Sequence, residues 1–168
     1  MRNCVPHVLM PLLAITLLFG CESDGPSPQA AGPAPQRAQP VRIVEQIHGD
    51  DPALQRTAVL WIRAEDEQDV LGSDALADLD VDFETQDVIV VAVGEVPTGG
   101  HWAYIDSVDR VGDVLNVNGR VNRPAADEAV TQAMAHPFAA AVIEKTRAAT
   151  LHSGVYSVEG ESFPGDDE

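Results

Sequence analysis

The sequence is short of cysteine, of positive charge and of long apolar runs. Its two cysteines, Cys4 and Cys21, both precede residue 22, so no disulfide can stabilise the remainder of the chain and a hydrophobic core must do so. Lys and Arg number 10 against 27 Asp and Glu, which gives a formal net charge of −17. A negative field of this size repels nucleic acid and anionic lipid surfaces, so neither is an expected partner. The apolar stretch Val8–Phe19 is about a dozen residues long and too short to span a bilayer as a helix.

That apolar stretch has the composition of a secretory signal. The basic start Met1–Asn3 precedes it and Leu18-Phe19-Gly20-Cys21 ends it, an arrangement that resembles the lipobox of bacterial lipoproteins. The resemblance implies that residues 1–20 are a lipoprotein signal peptide and that Cys21 is lipidated, with several acyl chains (palmitate among them) giving stable anchoring. Glu22 in place of Asp favours the outer membrane, facing the periplasm or the surface. An ordinary signal peptide with a coincidental cysteine is the alternative.

Composition divides the rest of the chain into three parts. Residues 21–40 are rich in Pro, Ala and Gln and cannot bury enough apolar surface to order themselves, so a disordered tether is predicted. Residues 41–152 are long enough for one modest domain. Residues 153–168 end in Gly165-Asp166-Asp167-Glu168 and are predicted to be an acidic, disordered tail.

The domain is predicted to be mainly β. Alternation of apolar and polar residues, or a continuous β-branched run, predicts strands at 41–47, 57–62, 87–93, 101–108, 114–121 and 138–143. Of these, 87–93 is expected to be central and buried on both faces, and 101–108 with 114–121 to form a hairpin. An amphipathic helix is expected over 64–79 with an interruption at Gly72, and alanine propensity predicts another over 126–135. The fold class is therefore α+β, mainly antiparallel β, in a small single domain with one or two helices; a β-sandwich is the alternative.

Two loops have the residue spacing of ligand-binding motifs but lack the side chains that would bind the ligand. Gly94 to His101 follows a strand with the glycine spacing of a P-loop, but lacks the Lys and the Ser or Thr that hold a nucleotide. Asp78-Leu79-Asp80-Val81-Asp82 begins like an EF-hand, but Phe83 and Ile89 occupy the positions of its Gly and Glu. Neither nucleotide nor calcium binding is predicted.

No catalytic or metal site is predicted either. His48, His101, His136 and His152 lie far apart, with no pair at metal-ligand spacing on one element. No nucleophile elbow is present, and no cysteine follows Cys21 to support a thiol mechanism. The expectation is a protein that is not an enzyme and uses neither a cofactor nor a metal.

One glycine-rich loop is the candidate site for binding a protein partner. It consists of Pro97, Thr98, Gly99, Gly100, His101 and Trp102. The proline fixes one dihedral angle, the glycines permit positive φ, and His101 and Trp102 present two amphipathic rings where the turn ends. A rigid loop of this kind is typical of protein-binding tips. The alternative is a tight turn between strands, with one ring folded onto the core.

A series of features runs in a fixed order from about Val81 to Lys145. It consists of Asp82-Phe83 before the apolar strand 88–93, Gly94, Pro97-Thr98-Gly99-Gly100, the hairpin 105–121, Pro124 and His136-Pro137-Phe138. This order resembles the C-terminal domain of the PrcB protease-complex subunits. The sequence departs from that pattern at His101, where the family has Tyr, and at His136, where a small or β-branched polar residue is expected. The resemblance implies a non-catalytic extracytoplasmic lipoprotein, a subunit of a surface serine-protease complex.

The same loop is more loosely similar to the Asn-Pro-Thr-Thr-Gly loop of chagasin-type cysteine-protease inhibitors. Val96 stands in place of the Asn, and Gly99 in place of the second Thr. Three functions follow from the sequence. The first is an envelope lipoprotein that binds an envelope protein, such as a secreted or surface protease, as an assembly subunit. The alternatives are a chagasin-like inhibitor that uses Thr98–Trp102 and a structural envelope lipoprotein without a specific partner.

Overall fold

The computed structural model of the chain describes residues 36–77 and 79–164. The predicted signal peptide, Cys21, most of the tether and the acidic end 165–168 lie outside this part, as does Asp78 of the EF-hand-like segment. Within it, no helix is long and apolar enough to cross a membrane.

The described residues form eight strands and two short helices. They are β1 (Gln39–Val41), β2 (Ile43–Asp50), β3 (Ala58–Ile62), α1 (Glu65–Leu71), α2 (Asp74–Ala77), β4 (Gln86–Ala92), β5 (Trp102–Val111), β6 (Val114–Arg123), β7 (Pro137–Glu144) and β8 (Thr150–Glu159). The predicted class, α+β with mainly β structure, is confirmed. The strands predicted at 57–62, 87–93, 101–108, 114–121 and 138–143 correspond to β3 to β7.

The strands form two four-stranded sheets. Sheet A has the order β1-β5-β6-β8, and sheet B has the order β2-β7-β4-β3. All neighbouring strands are antiparallel except β6 and β8, which are parallel. The single strand predicted at 41–47 is divided, because the chain leaves sheet A after Val41 and enters sheet B at Ile43.

The main core lies between the two sheets, which pack face to face as in a sandwich. Alternate side chains of β4 to β7 fill it, and the buried members are Ile89, Val91, Ala103, Ile105, Val108, Leu115, Val117, Ala139, Ala141 and Ile143. The intervening side chains of β4 point to the other face of sheet B and are also buried. Strand β4 is therefore buried on both faces, as its continuous β-branched run predicts.

The outer face of sheet B is covered by α2 and the loop after it. Leu76 and Leu79 pack there against Val88, Val90 and neighbouring side chains of β7. Gly72 lies between the helices with a φ of 61°, a left-handed conformation that glycine adopts without strain and that ends α1. The predicted helix with an interruption at Gly72 is confirmed.

The helix predicted over 126–135 is wrong. Residues 124–136 have no helix. They contain one turn, in which the Glu128 amide donates to the Ala125 carbonyl at 3.0 Å, and the later part of the segment pairs with the loop after β4. Val96 and Ala135 exchange two hydrogen bonds of 2.8 and 2.9 Å, and the Gly99 amide donates to the Thr131 carbonyl at 2.9 Å. These tertiary hydrogen bonds outweigh the weak helical preference of alanine.

The disordered tail predicted from residue 153 is wrong for residues 153–159, which belong to β8. This strand pairs with β6 over its whole length, from Thr150 opposite Val114 to Glu159 opposite Arg123. Its hydrogen bonds to β6 supply order that its composition, with two serines and one glycine, does not suggest. Strand β1 likewise includes Gln39 and Pro40 from the predicted tether, because they pair with β5.

Candidate protein-binding site

The candidate loop Pro97–Trp102 connects β4 to β5 and lies against residues 124–135. Besides the hydrogen bond between Gly99 and Thr131, the Asn122 side chain donates to the Gly100 carbonyl at 3.3 Å. Gly100 has a φ of +80°, and a Cβ at this position would lie 2.7 Å from Cγ1 of Val130. The glycines are therefore required by positive φ and by close packing. The loop is fixed to the end of the sandwich and does not project freely from it.

The two histidines that depart from the family pattern both have partners at this end of the sandwich. Nδ1 of His101 lies 3.1 Å from the Thr98 carbonyl, a contact that closes the turn when Nδ1 holds the proton. Nε2 of His136 lies 3.6 Å from Oε2 of Glu95, and its carbonyl accepts from the Asp51 amide at 3.1 Å. Both rings are half-buried. They help to fix the loops around the candidate site.

Trp102 lies half-buried on the outer face of sheet A, outside the main core. Its Nε1 donates to the Glu161 carbonyl at 3.3 Å, and its ring meets the ring of Phe163 edge-on, with centroids 5.5 Å apart. Tyr104 makes a similar contact with Phe163 at 5.8 Å. The ring of Phe163 also contacts that of His48 in β2, with centroids 4.0 Å apart. Trp102 is therefore one of three rings that hold the segment following β8 in place.

Arg120 completes this outer-face cluster, which consists of Trp102, Tyr104, Arg120 and Phe163. Its guanidinium pairs with Asp106 at 2.9 Å and with Glu161 at 3.0 Å. The hydrogen bond to Asp106 raises the pKa of Arg120 above its usual value, against the opposing effect of burial. With two carboxylates beside it, Arg120 stabilises the cluster and is not free to attract an anion.

A groove of about 660 Å³ opens on one side of the sandwich, between β3 and β8. Its floor is the exposed flank of the main core, formed by the partly buried side chains Val59, Val93, Val121, Leu151 and Val155. His101 of the candidate loop and Val96 lie at one end of the groove. The groove and the candidate loop are therefore continuous.

The opposite side of the sandwich is closed. There the chain passes directly from β1 in sheet A to β2 in sheet B. With its amide oriented to satisfy both groups, Gln46 also donates to the Ile105 carbonyl at 3.0 Å and accepts from the Ile105 amide at 3.3 Å. On the side of β3 and β8, no strand of the described residues joins the two sheets. The groove thus results from the order of the strands.

The fully buried Asp87 has its partners within the fold. Its Oδ2 accepts from Trp61 Nε1 at 3.1 Å, and its Oδ1 lies 3.6 Å from Nζ of Lys145. In residues 36–77 and 79–164, no three His, Cys, Asp or Glu side chains are close enough together to hold a metal ion. The candidate site offers a groove with an apolar floor and a rigid loop. The polar residues that line the groove include hydroxyl-bearing side chains and the charged Glu95 and Arg123. These are features of a protein interface.

Sequence reasoning located the loop but not the groove. The two walls come from β3 and β8, which are distant in sequence, and part of β8 falls in the predicted tail. The signal that was present is the spacing of Leu151 and Val155 on the face of β8 that packs on the core.

Comparison with known families identifies one segment. Residues 88–144 match the family model described as PrcB C-terminal. They run from β4 to the end of β7 and include the candidate loop, the hairpin β5–β6 and the segment 124–136. No curated protein and no solved structure matches the chain. The resemblance drawn from the sequence is confirmed over the strands at the centre of both sheets.

Proposed function

We propose that the chain is a non-catalytic accessory subunit of an extracytoplasmic protease complex, from the premise that residues 88–144 match the PrcB C-terminal family. The observation behind the proposal is that the family segment coincides with β4 to β7, which lie at the centre of both sheets. The part of the domain that the family describes is thus the part that organises the fold. We infer that residues 88–144 also provide the partner-binding function of the family.

The geometry at one end of the sandwich supports binding of a protein. The candidate loop is fixed by hydrogen bonds to Thr131 and Asn122, so little conformational entropy is lost when a partner binds it. The adjoining groove has an apolar floor and hydroxyl-bearing side chains such as Ser153 and Tyr156 on its rim. An apolar centre with a polar rim is typical of protein interfaces.

The same geometry does not favour the chagasin-like inhibitor. An inhibitory loop of that kind has to project into a protease cleft. Here residues 124–135 lie against the glycines of the loop, and a Cβ on Gly99 would clash with Oγ1 of Thr131. The subunit function is therefore preferred over the inhibitor. The other alternative, a structural lipoprotein without a partner, is distinguished from the subunit by the purification experiment that follows.

The test is purification of the tagged full chain from its native envelope after crosslinking. We expect a protease to co-purify, and we expect a serine-protease inhibitor to abolish the activity of the complex, while the isolated chain cleaves no substrate. A complex that contains no protease, or an isolated chain that cleaves by itself, would contradict the proposal.

Matched variants test whether the candidate loop contributes to the complex. His101→Ala/Trp102→Ala should reduce the yield of the co-purified protease. Val44→Ala changes an exposed apolar side chain of β2, which is 46% accessible, and should not change the yield. Equal yields from the two variants would show that the loop is not part of the binding site.

We also propose that Cys21 anchors the subunit to the membrane through lipid. Cys21→Ser should move the protein from the membrane fraction to the soluble envelope fraction, because the acyl chains supply the binding energy. Cys4→Ser lies in the predicted signal peptide and should leave fractionation unchanged. If Cys21→Ser stays with the membrane, the lipobox prediction is wrong.

A further inference from the structure

Strand β8 forms an unprotected edge of sheet A. It pairs with β6 without a register shift, and no strand of the described part of the chain pairs with its other side. Natural proteins protect such edges with lysine, proline, a bulge or a short strand. Strand β8 has 10 residues and contains neither lysine nor proline. About half of its backbone N–H and C=O groups are therefore available to a further strand.

The opposite wall of the groove is a second edge. Strand β3 ends sheet B, and its sequence from Ala58 to Ile62 is entirely apolar. Between the two edges, the groove is lined by Val59 of β3, by Val93 directly after β4, and by Leu151 and Val155 of β8. An extended chain placed along β8 would direct every second side chain into this space.

The two walls have very little charge in a strongly acidic protein. Strand β3 has no charged residue, and Glu159 is the only one in β8, although the chain has 27 acidic residues against 10 basic ones. The two charged residues that line the groove outside these strands, Glu95 and Arg123, have opposite signs. An occupant that is uncharged at its centre and basic at its ends fits such a site and is attracted by the surrounding field. A second copy of this chain brings a further charge of −17 and is repelled.

We propose that the groove binds an extended segment of a protein partner by strand addition to β8. The segment inserts apolar side chains at alternate positions between β8 and β3, and basic residues flank it. Backbone hydrogen bonds along β8 provide affinity, and the apolar floor of the groove selects the side chains. This inference rests on the proposed function in one respect only, namely that the bound segment is part of a protein.

The first test is hydrogen exchange of the full chain with a blocked peptide long enough to span β8. In the probe, valine alternates with threonine and lysine stands at each end. We expect the peptide to slow exchange of β8 amides saturably, by about tenfold or more, since they gain ladder hydrogen bonds. The same peptide with a central proline, or with glutamate in place of lysine, should give no such protection.

Two double variants locate the peptide on the groove side of β8. Ser153→Lys/Ser157→Lys adds two charges to exposed positions that line the groove and should abolish the protection. Thr150→Lys/His152→Lys adds the same charges to exposed positions of the same strand that do not line it and should retain the protection. Since all four positions are exposed, both variants should fold.

Three results would overturn the inference. They are absence of peptide protection in β8 of the unmodified chain, equal protection in the two double variants, and protection of β8 that rises with chain concentration when no peptide is present. The last result would assign the edge to self-association.

This inference and the proposed function fail separately. A protease complex that persists in Ser153→Lys/Ser157→Lys would overturn strand addition and leave the subunit function in place. Peptide protection of β8 without any co-purified protease would support strand addition and overturn the protease-complex function.

Discussion

At the scale of single residues, Asp51 is the acid whose environment most clearly favours its charged form. It is 6% accessible and accepts from the Ser73 hydroxyl at 2.6 Å and from the Ala53 amide at 2.8 Å. Burial raises the pKa of Asp51, but these hydrogen bonds and a longer one from Ala75 outweigh burial and hold the pKa below its usual value of 3.8. Its carboxylate thereby joins the end of β2 to the start of α2.

This arrangement predicts a loss of stability in acid. Because the folded pKa lies below the unfolded value, the contribution of Asp51 is fully present above about pH 4 and disappears as the pH falls through the folded pKa. The free energy of unfolding, measured with urea from neutral to acidic pH, should fall less steeply in Asp51→Asn than in the unmodified chain. Asp66→Asn, an exposed acid in α1, is the control and should keep the original slope. An unchanged slope in Asp51→Asn would show that the carboxylate is not favoured by the fold.

Trp102 gives a second prediction at this scale. Trp102→Ala should release the segment at Phe163 and cost about 1 kcal/mol of unfolding free energy through loss of the aromatic pair. Exchange of the amides at Glu161 to Phe163 should become faster while the core strands stay protected. The costs of Trp102→Ala and Phe163→Ala should be non-additive, whereas those of Trp102→Ala and Val44→Ala should add. A cost of about 3–5 kcal/mol would instead place the ring in a core.

At the scale of elements, the observed fold differs from the predicted one chiefly in β8, most of which was predicted to be a disordered tail. Deleting this strand therefore tests the difference. Deleting residues 153–168 removes most of β8 and uncovers β6, so we expect cooperative unfolding in urea to be lost or its midpoint to fall sharply. Deleting only residues 165–168 should leave the midpoint unchanged. A chain without 153–168 that unfolds like the full chain would mean that β8 contributes nothing to sheet A.

The elements that the sequence predicted correctly are those whose signal is local. The run Val88–Val93, the alternating hairpin and the helix interrupted at Gly72 all follow from residues close together in the chain. The alanines of 126–135 and 139–141 look alike by propensity, yet only the second set is in a strand. Strand β7 is hydrogen-bonded on both sides, by β2 and β4. The propensity of alanine does not indicate that a segment lies between two such strands.

The same distinction applies to the candidate site: the loop has a local signal in the sequence, and the groove does not. The loop was predicted because its glycines and rings are consecutive, and the structure explains those glycines by contacts with Val130 and Thr131. The groove depends on which strands end each sheet. That order is a property of the topology, so Ser153 and Ser157 have no signal in the sequence that marks them as groove residues.

At the scale of the whole molecule, charge opposes folding. With 27 acidic and 10 basic residues, most carboxylates cannot have a cationic partner, and the pair between Arg42 and Glu144 is exposed and long at 3.8 Å. Sodium chloride should therefore raise the thermal midpoint by screening repulsion between carboxylates. The rise should shrink at about pH 4, where acids become protonated. A midpoint that falls with salt at neutral pH would show that attractive ion pairs dominate.

The parallel pairing of β6 with β8 also determines when the groove forms during synthesis of the chain. Between these two strands the chain crosses to sheet B and forms β7, so β8 can join sheet A only after β7 has been made. Because ribosomes synthesise proteins from the N-terminus, the second wall of the groove is built last. A partner that requires both walls therefore recognises chains whose synthesis has passed β8, and nascent or shortened copies are left unbound.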